Sequence, residues 1–399
     1  MVTQSKRSLE VDFLRGLALL AIALDHIPES LISRFTLHSY ALCDAAEVFV
    51  FLGGYASAAA FVAVDSRRGA AAARARFFKR SWEIYRAFLI TALLMVCLGW
   101  LLQRLGAATP AVSDTDAVTF ARRPFDFILD VLIFRRQPYL AAVLPMYAMY
   151  ALCAPLVVPQ IQRRVGLVLT ASVAMWLVAP VLGGFLPGVY PEGWSFNPFA
   201  WQLMFVLGAV CRLKPATLAF QTSRAGRALT GLALLAASGF AIAVLFVQIA
   251  PLPGFEKQNL SVWRVANFLA VMWVMAQCVR LGWVMRVARW LPYVTAVGRQ
   301  GIPCFVAGAV VSLLADAALT QLGHANWALR LGVDALSIAS IVVVAYAANR
   351  WKSRPRTDSR PTPAAVGAGA GVRSTGGAAR LGVTRAVRHT ADVDRAPRR

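Results

Sequence analysis

Long apolar segments recur along most of the chain, and they restrict its fold more than any other feature. A segment of roughly 20 mostly apolar residues is the length that an α-helix needs to cross a membrane. Such segments lie at about 9 to 27, 44 to 64, 84 to 103, 138 to 158, 166 to 184, 199 to 212, 228 to 250, 263 to 281, 300 to 320 and 329 to 349. The sequence therefore predicts an all-α, polytopic membrane protein with about ten transmembrane helices, and nine and eleven are the alternatives.

Composition supports a membrane domain followed by a polar tail. Of the 399 residues, 58% are hydrophobic and 15% are charged, whereas soluble domains carry about 25% charged residues. The net charge is +22, and residues 351–399 hold 11 Lys or Arg against three Asp. This tail has too few large apolar groups to offset chain entropy, so we predict a membrane domain over 1–350 and a disordered basic tail over 351–399. Membrane headgroups account for the charge better than nucleic acid does, and no nucleic-acid partner is expected.

Charge in the connecting segments predicts how the chain crosses the membrane. Lys and Arg concentrate in cytoplasmic loops. With a cytoplasmic N-terminus, that side holds Arg67, Arg68, Arg74, Arg76, Lys79, Arg80, Arg163, Arg164, Arg212, Lys214, Arg224, Arg227, Arg286 and Arg289. The opposite loops are poor in basic residues, so both termini are expected in the cytoplasm. The segment from Arg104 to Gln137 departs from the pattern, because it places Arg122, Arg123, Arg135 and Arg136 outside. We predict a folded loop there, with a short amphipathic helix around Phe125 to Phe134.

The cysteines suggest no disulfide or metal chemistry, and the N-terminal segment does not suggest a cleaved signal peptide. The six cysteines are scattered and lack CxxC spacing, so they predict neither a disulfide framework nor a metal site. The first apolar segment carries charged residues and lacks an A-x-A exit, so it is expected to stay in the protein as a membrane helix.

Arg15 and His26 stand out within that first helix. Eleven positions separate them, which is close to three helical turns, so both side chains face the same way about 16 Å apart along the axis. They are too far apart to touch, but one elongated ligand could contact both. Ionisable side chains inside a membrane span are costly and usually face a cavity, a partner or a substrate.

Asp12 shares the face of Arg15 and His26, whereas Asp25 points to one side. Asp12 and Arg15 are three positions apart and can pair, which lowers the cost of burying each. A neutral His26 could accept a proton from a hydroxyl nucleophile. The alternative is that His26 only makes a helix contact, as most membrane histidines do.

Two further polar groups are candidates for substrate contact. Asp44 and Glu47 open the second helix, at the same level as His26 if the two helices are antiparallel; the alternative is an acidic first turn that favours the helix dipole. Asn197, Trp201 and Gln202 open the sixth helix, where the alternatives are a helix cap for Asn197 and an interfacial anchor for Trp201. The adjacent Gly53 and Gly54 are expected to allow close helix contact.

These segments, taken in order, resemble the OpgC family, part of a wider group of membrane acyltransferase-3-like proteins. The most specific stretches are RSLEVDFLRGLALLAIALDH from Arg7, SYALCDAAEVFVFLGGY from Ser39, VLPMYAMY from Val143 and FNPFAWQLMFVLG from Phe196. A weaker stretch, RSWEIYRAF, begins at Arg80 and adds Arg80 and Tyr85 as substrate-binding candidates, and GRQGIPCF begins at Gly298. The resemblance runs from about Arg7 to the last helix.

The resemblance implies a reaction. OpgC proteins are similar to enzymes of the bacterial inner membrane that succinylate osmoregulated periplasmic glucans, with a cytoplasmic acyl-CoA such as succinyl-CoA as donor. The wider group has an Arg and a His at the spacing of Arg15 and His26, with the His as catalytic base or acid and the Arg holding the donor. The expected partners are thus an acyl-CoA, a glycan acceptor and membrane lipids, with no tightly bound cofactor and no metal.

This chain departs from the family pattern at two positions. His is common in the family where Phe88 and Asn267 stand here, which leaves the acceptor open. Two other functions stay as alternatives. One is a proton-coupled transporter or flippase, in which Asp12, Asp25, Asp44, Glu47 and His26 form a proton relay. The other is a scaffold whose buried charges are merely paired.

Overall fold

The fold is all-α, as predicted. The computed structural model describes residues 8–107, 114–247, 256–322 and 326–353, and these contain helices and turns without a strand. Thirteen α-helices are found in these ranges: α1 Leu9–Asp25, α2 Ala45–Arg104, α3 Asp114–Arg122, α4 Pro124–Leu132, α5 Val143–Gly183, α6 Pro198–Leu213, α7 Leu218–Thr222, α8 Arg224–Ile242, α9 Val262–Arg280, α10 Trp283–Trp290, α11 Pro292–Arg299, α12 Gly301–Gln321 and α13 Trp327–Ser353. Short 3₁₀ turns at Ile32–Phe35 and Leu37–Ser39 link α1 to α2.

α1 is an interior helix that packs against α2, α11 and α12. Ser8 caps its N-terminus, with a hydroxyl that accepts the Val11 N–H. Apolar residues on most sides of the helix are buried. It crosses α11 at two glycines. A Cβ on Gly16 would overlap the carbonyl oxygen of Val294, and one on Gly298 would overlap that of Asp12. The two backbones can therefore be this close only because both residues lack a side chain.

α2 is a helical hairpin of 60 residues. Its backbone breaks at Gly69, where φ is 79° and ψ is 167°, a conformation that only glycine adopts readily. Phe61 and Phe77 would lie about 24 Å apart on a straight helix, but their ring centroids are 6.0 Å apart. The two arms therefore run antiparallel. The loop expected between residues 64 and 84 is thus helical up to the break and beyond it.

α5 folds back in the same way. Its backbone leaves the helical region at Arg164, after Pro155 and Pro159, and proline inside a helix removes hydrogen bonds. Tyr150 and Ala179 would lie about 43 Å apart on a straight helix. In the structure the Tyr150 hydroxyl donates to the Pro198 carbonyl and the Asn197 amide donates to the Ala179 carbonyl, so both residues meet the start of α6.

α6 packs tightly against the first arm of α2. A Cβ on Gly54 would overlap the Phe205 carbonyl, and one on Gly208 would overlap that of Phe51. The close contact expected of the Gly53–Gly54 pair is therefore made by Gly54 with α6, while Gly53 faces Tyr147 of α5.

The segment between α2 and α5 is folded. The predicted short helix is α4, and α3 precedes it. Arg136 is buried, pairs with Asp116 and lies over the Tyr190 ring. Tyr190 donates to Asp116 at 2.7 Å, and burial followed by this carboxylate raises the pKa of Tyr190 well above its usual value. Arg135 pairs with Asp130 in the same segment, and Arg122 and Arg123 are exposed.

Six of the described helices are long and apolar enough to cross a membrane: α2, α5, α8 with its π-helical extension to Phe246, α9, α12 and α13. α1 and α6 are shorter, at 17 and 16 residues. Large apolar side chains are exposed along these helices, and Trp290, Trp327 and Trp351 are exposed near helix ends, as is typical of residues at a membrane interface. The apolar helices indicate a membrane protein, and the exact number of crossings stays a prediction.

The tail predicted from residue 351 overlaps the structure only slightly. α13 continues through Trp351 to Ser353. The rest of the predicted tail, 354–399, lies outside the described residues.

Candidate functional site

His26 follows the last residue of α1. Its Nδ1 lies 2.6 Å from the Ile22 carbonyl oxygen, and because a carbonyl only accepts, Nδ1 carries the proton in this contact. The neutral imidazole then has an unprotonated Nε2. The Tyr139 ring meets His26 edge-on at 5.8 Å.

A small cavity lies beside α1 between the levels of Arg15 and His26. Leu19 and Ile22 of α1 line it, and they share the face of Arg15 and His26 because the four positions are spaced by three or four residues. The remaining lining residues are Ala23, Leu140, Phe305, Gly308, Ala309 and Ser312, mostly from α12. The lining is mainly apolar, so the cavity suits an uncharged ligand segment.

The other end of this face is polar. The Arg15 guanidinium lies against Gly301 of α12, where a Cβ would be 3.0 Å from its Nη2. Asp12 is buried and accepts from Arg299 at 3.3 Å. Asp12 forms an ion pair with Arg299 of α11, and the predicted pairing of Asp12 with Arg15 stays a prediction.

Asp25 does not orient the imidazole. Its carboxylate accepts from the Thr36 hydroxyl at 2.6 Å, in agreement with the side position expected for it. Asp334 of α13 accepts the backbone N–H groups of Leu31 and Ile32 at 2.9 and 3.0 Å. Both carboxylates therefore hold the connection that follows His26.

Asp44 and Glu47 belong to one buried ion cluster. They form a capping box at the start of α2, in which Asp44 accepts the Ala46 N–H and Glu47 accepts the Asp44 N–H. Arg264 of α9 donates to Glu47 at 2.7 Å and to Asp44 at 3.2 Å. Lys257 adds a contact of 2.7 Å to Asp44. These side chains stabilise the start of α2 through contacts within the protein.

Asn267 lies one helical turn after Arg264. Its side-chain oxygen accepts the N–H groups of Leu42 and Cys43 at 3.0 and 3.1 Å, so this amide fixes the chain entering α2. Phe88, the other departure from the family pattern, is fully buried and packs against Phe134 at 5.3 Å.

The candidates at α6 also make internal contacts. Asn197 caps the helix by accepting the Phe199 N–H at 3.0 Å, as its alternative reading predicted. Trp201 is fully buried, so it is not an interfacial anchor, and it donates to the carbonyls of Lys257 and Gln258. Gln202 donates to the Ser172 carbonyl at 2.7 Å.

Arg80 and Tyr85 lie on the second arm of α2. Arg80 is partly exposed and pairs with Glu83 at 3.3 Å. The Tyr85 hydroxyl donates to the Leu132 carbonyl at 2.9 Å. The structure therefore places a small cavity between the levels of Arg15 and His26, on the face of α1 that they share. The other candidates make their hydrogen bonds and ion pairs elsewhere, although Asp44 is near enough to His26 to interact electrostatically.

Sequence reasoning missed Arg264, Tyr139 and Tyr147. A signal existed for Arg264, because it is an ionisable residue inside an apolar segment, the same feature that singled out Arg15. Tyr147 lies in VLPMYAMY, one of the stretches that carry the family resemblance, whereas no comparable signal marks Tyr139. Among the described residues, no group of three His, Cys, Asp or Glu side chains is arranged to hold a metal ion.

Comparison with known proteins gives one match. A family model described as OpgC protein matches residues 7–353, which is most of the chain. No curated protein and no solved structure matches the chain.

Proposed function

The chain belongs to the OpgC family, and from this we propose that it is a membrane O-acyltransferase that moves an acyl group from a cytoplasmic acyl-CoA to a hydroxyl of a periplasmic glucan or related glycan. The family suggests a glucan-modifying acyltransferase in general terms. The donor, the base and the acceptor are our proposals, with succinyl-CoA as the first donor to test.

The hydrogen bond of His26 carries this proposal. Since Nδ1 donates to the Ile22 carbonyl at 2.6 Å, the lone pair of Nε2 is available to accept a proton. The ring is partly buried beside Tyr139, so its orientation is held by two contacts. These are the properties that a general base needs.

The proposed step conserves atoms and charge. The acceptor hydroxyl transfers its proton to His26 Nε2 while its oxygen attacks the thioester carbonyl carbon. The C–O bond of the new ester forms, the C–S bond breaks, and the imidazolium returns the proton to the sulfur. The products are the acylated glycan and the free thiol of CoA.

Arg15 supports the donor side of the proposal. An acyl-CoA is long and carries anionic phosphates at the end opposite its thioester. The Arg15 guanidinium could bind the phosphates while the thioester lies at His26, about 16 Å away along the axis of α1. The apolar cavity beside Leu19 and Ile22 lies between the two. Holding the reactants in one orientation is itself a large part of catalysis.

We further propose ten crossings of the bacterial inner membrane, with both termini in the cytoplasm. Each arm of α2 and α5 counts as one crossing, and α1, α6, α8, α9, α12 and α13 supply the rest. Contacts between segments that this arrangement puts on one side support it. Arg299 pairs with Asp12 at the cytoplasmic side, while Lys257 pairs with Asp44 and Arg330 with Glu29 at the other.

Mass spectrometry of periplasmic glucans from cells with and without the protein tests the reaction. We expect a mass increase of one or more acyl units only when the protein is present. His26→Ala should abolish the increase, while His38→Gln, at an exposed histidine in the same connection, should preserve it. A well-folded His26→Ala protein that transfers acyl groups fully would refute the base, and unchanged glucans would refute the acceptor.

The transporter alternative gains no support from the geometry. Its proposed relay residues have separate partners: Asp12 pairs with Arg299, Asp25 accepts from Thr36, and Asp44 and Glu47 pair with Arg264. Uptake driven by a pH gradient without acyl modification would favour that alternative.

A further inference from the structure

The Tyr147 hydroxyl differs from the other buried hydroxyls of its helix. Its oxygen is buried and has no hydrogen-bond partner among the described residues, although buried hydroxyls are nearly always bonded. Tyr150, one turn later on α5, is the ordinary case, because its hydroxyl donates to the Pro198 carbonyl at 2.8 Å. Tyr147 therefore keeps a polar group in a place where phenylalanine would fit the structure equally well.

Gly53 of α2 makes room for this phenol. A Cβ on Gly53 would lie 2.9 Å from Tyr147 Cε1 and 3.4 Å from its hydroxyl oxygen. The Phe49 ring packs on the same tyrosine, with 5.3 Å between ring centroids. The hydroxyl thus lies along α2 and is positioned by a glycine and an aromatic ring.

The same hydroxyl is close to the donor side of the proposed site. Tyr147 and the Arg15 guanidinium are near enough to interact electrostatically. A guanidinium only donates hydrogen bonds, so it cannot accept the phenolic proton. A ligand that reaches the space near Arg15 would supply an acceptor for that proton.

We propose that Tyr147 is a binding residue for the acyl donor, whose hydroxyl donates a hydrogen bond to an amide carbonyl oxygen in the pantetheine arm. This inference rests on the proposed acyl-CoA donor. The arm joins the phosphates, assigned to Arg15, to the thioester, assigned to His26, and its amides are the neutral acceptors in between. Because the hydroxyl meets the arm and not the reacting carbonyl, it contributes to donor binding more than to the chemical step.

Tyr147→Phe and Tyr150→Phe form a matched pair that separates binding from stability. Both remove one hydroxyl from α5, but only the Tyr150 hydroxyl has a partner in the protein. Each full-length variant is purified in lipid nanodiscs and assayed with succinyl-CoA and glucan extracted from cells that lack the protein. Thermal unfolding of each variant is followed in parallel.

Tyr147→Phe should keep or raise the midpoint of thermal unfolding. It should raise KM for succinyl-CoA about two- to tenfold, which corresponds to the loss of one neutral hydrogen bond. The change in kcat should be smaller. Tyr150→Phe should lower the midpoint and leave KM unchanged. Gly53→Ala should also raise KM, because its methyl group presses on the Tyr147 ring.

An active wild type with unchanged KM in Tyr147→Phe would overturn this inference alone. A fall in kcat without a rise in KM would also overturn it, because the hydroxyl would then act at the thioester. Absence of acyl transfer by the wild type with any acyl-CoA would overturn the proposed function and this inference together.

Discussion

At the scale of single residues, Glu47 is a fully buried carboxylate whose charge is balanced by Arg264, 217 positions later in the chain. Arg264 also donates to Asp44, so one guanidinium serves two carboxylates. A buried charge is stable only while its partners remain, because the cost of desolvation is then offset by direct attraction. The cluster therefore joins the start of α2 to α9.

Arg264→Ala should be among the most destabilising single substitutions in the protein. It leaves Glu47 buried without its cation, and removal of one partner from a buried pair costs about 3–5 kcal/mol. Thermal unfolding of the purified protein measures this loss. Arg135→Ala is the control, because Arg135 pairs with Asp130 in a half-exposed setting and should cost less than about 1 kcal/mol. Equal midpoints for the two variants would contradict the argument.

The sequence allows prediction of those features of the site that depend on residues close together in the chain. The shared face of Arg15 and His26 follows from helical periodicity, and in the structure Leu19 and Ile22 of the same face line a small cavity between their levels. Asn197 as a helix cap was a local prediction of the same kind. The Arg299 partner of Asp12 was not predictable, because 287 positions separate them and only the packing of α11 on α1 brings them together.

At the scale of elements, the crossing of α1 and α11 sets the position of the proposed site. Gly16 and Gly298 allow the backbones to touch, and α1 carries both Arg15 and His26. A side chain at this crossing would move the helix that holds both residues. No sequence pattern pairs these two glycines, because they belong to segments far apart in the chain.

Gly298→Ala should destabilise the protein and reduce acyl transfer. Its methyl group would overlap the Asp12 carbonyl, and overpacking of this kind costs about 1–3 kcal/mol. Gly332→Ala is the matched control, since α13 leaves open space around Gly332 and alanine favours a helix by up to about 1 kcal/mol over glycine. Unfolding midpoints and glucan acylation measure both effects. A Gly298→Ala protein as stable and active as Gly332→Ala would show that the crossing tolerates separation.

In the two helical hairpins, α2 and α5, hydropathy predicted the position of each arm but not the structure of the connection between the arms. Apolar length placed one segment on each arm of α2 and of α5, with the basic residues of the connections between them. Those connections are helical nearly to the break at Gly69 and at Arg164. Hydropathy detects charge in a connection, but it does not distinguish a loop from a helix that continues beyond the membrane.

At the scale of the whole molecule, the two hairpins and the contacts between connections imply one alternating path. The break at Gly69 would face the cytoplasm, as the basic residues Arg67 and Arg68 beside it indicate. The connection between α5 and α6 would face the periplasm. Only this alternation places the Arg15 end of α1 toward the donor and the His26 end toward the acceptor.

Cysteine labelling decides the path. Ser66 and Ser195 are exposed, one beside the break in α2 and the other between α5 and α6. In a background without the native cysteines, Ser195→Cys should react with a membrane-impermeant maleimide in cells whose outer membrane has been permeabilised. Ser66→Cys should react only after the inner membrane is opened, since its side chain lies beyond the lipid barrier. If both positions react from the same side, the second arm of α2 and the two arms of α5 cannot all cross the membrane, and the proposed path with ten crossings is wrong.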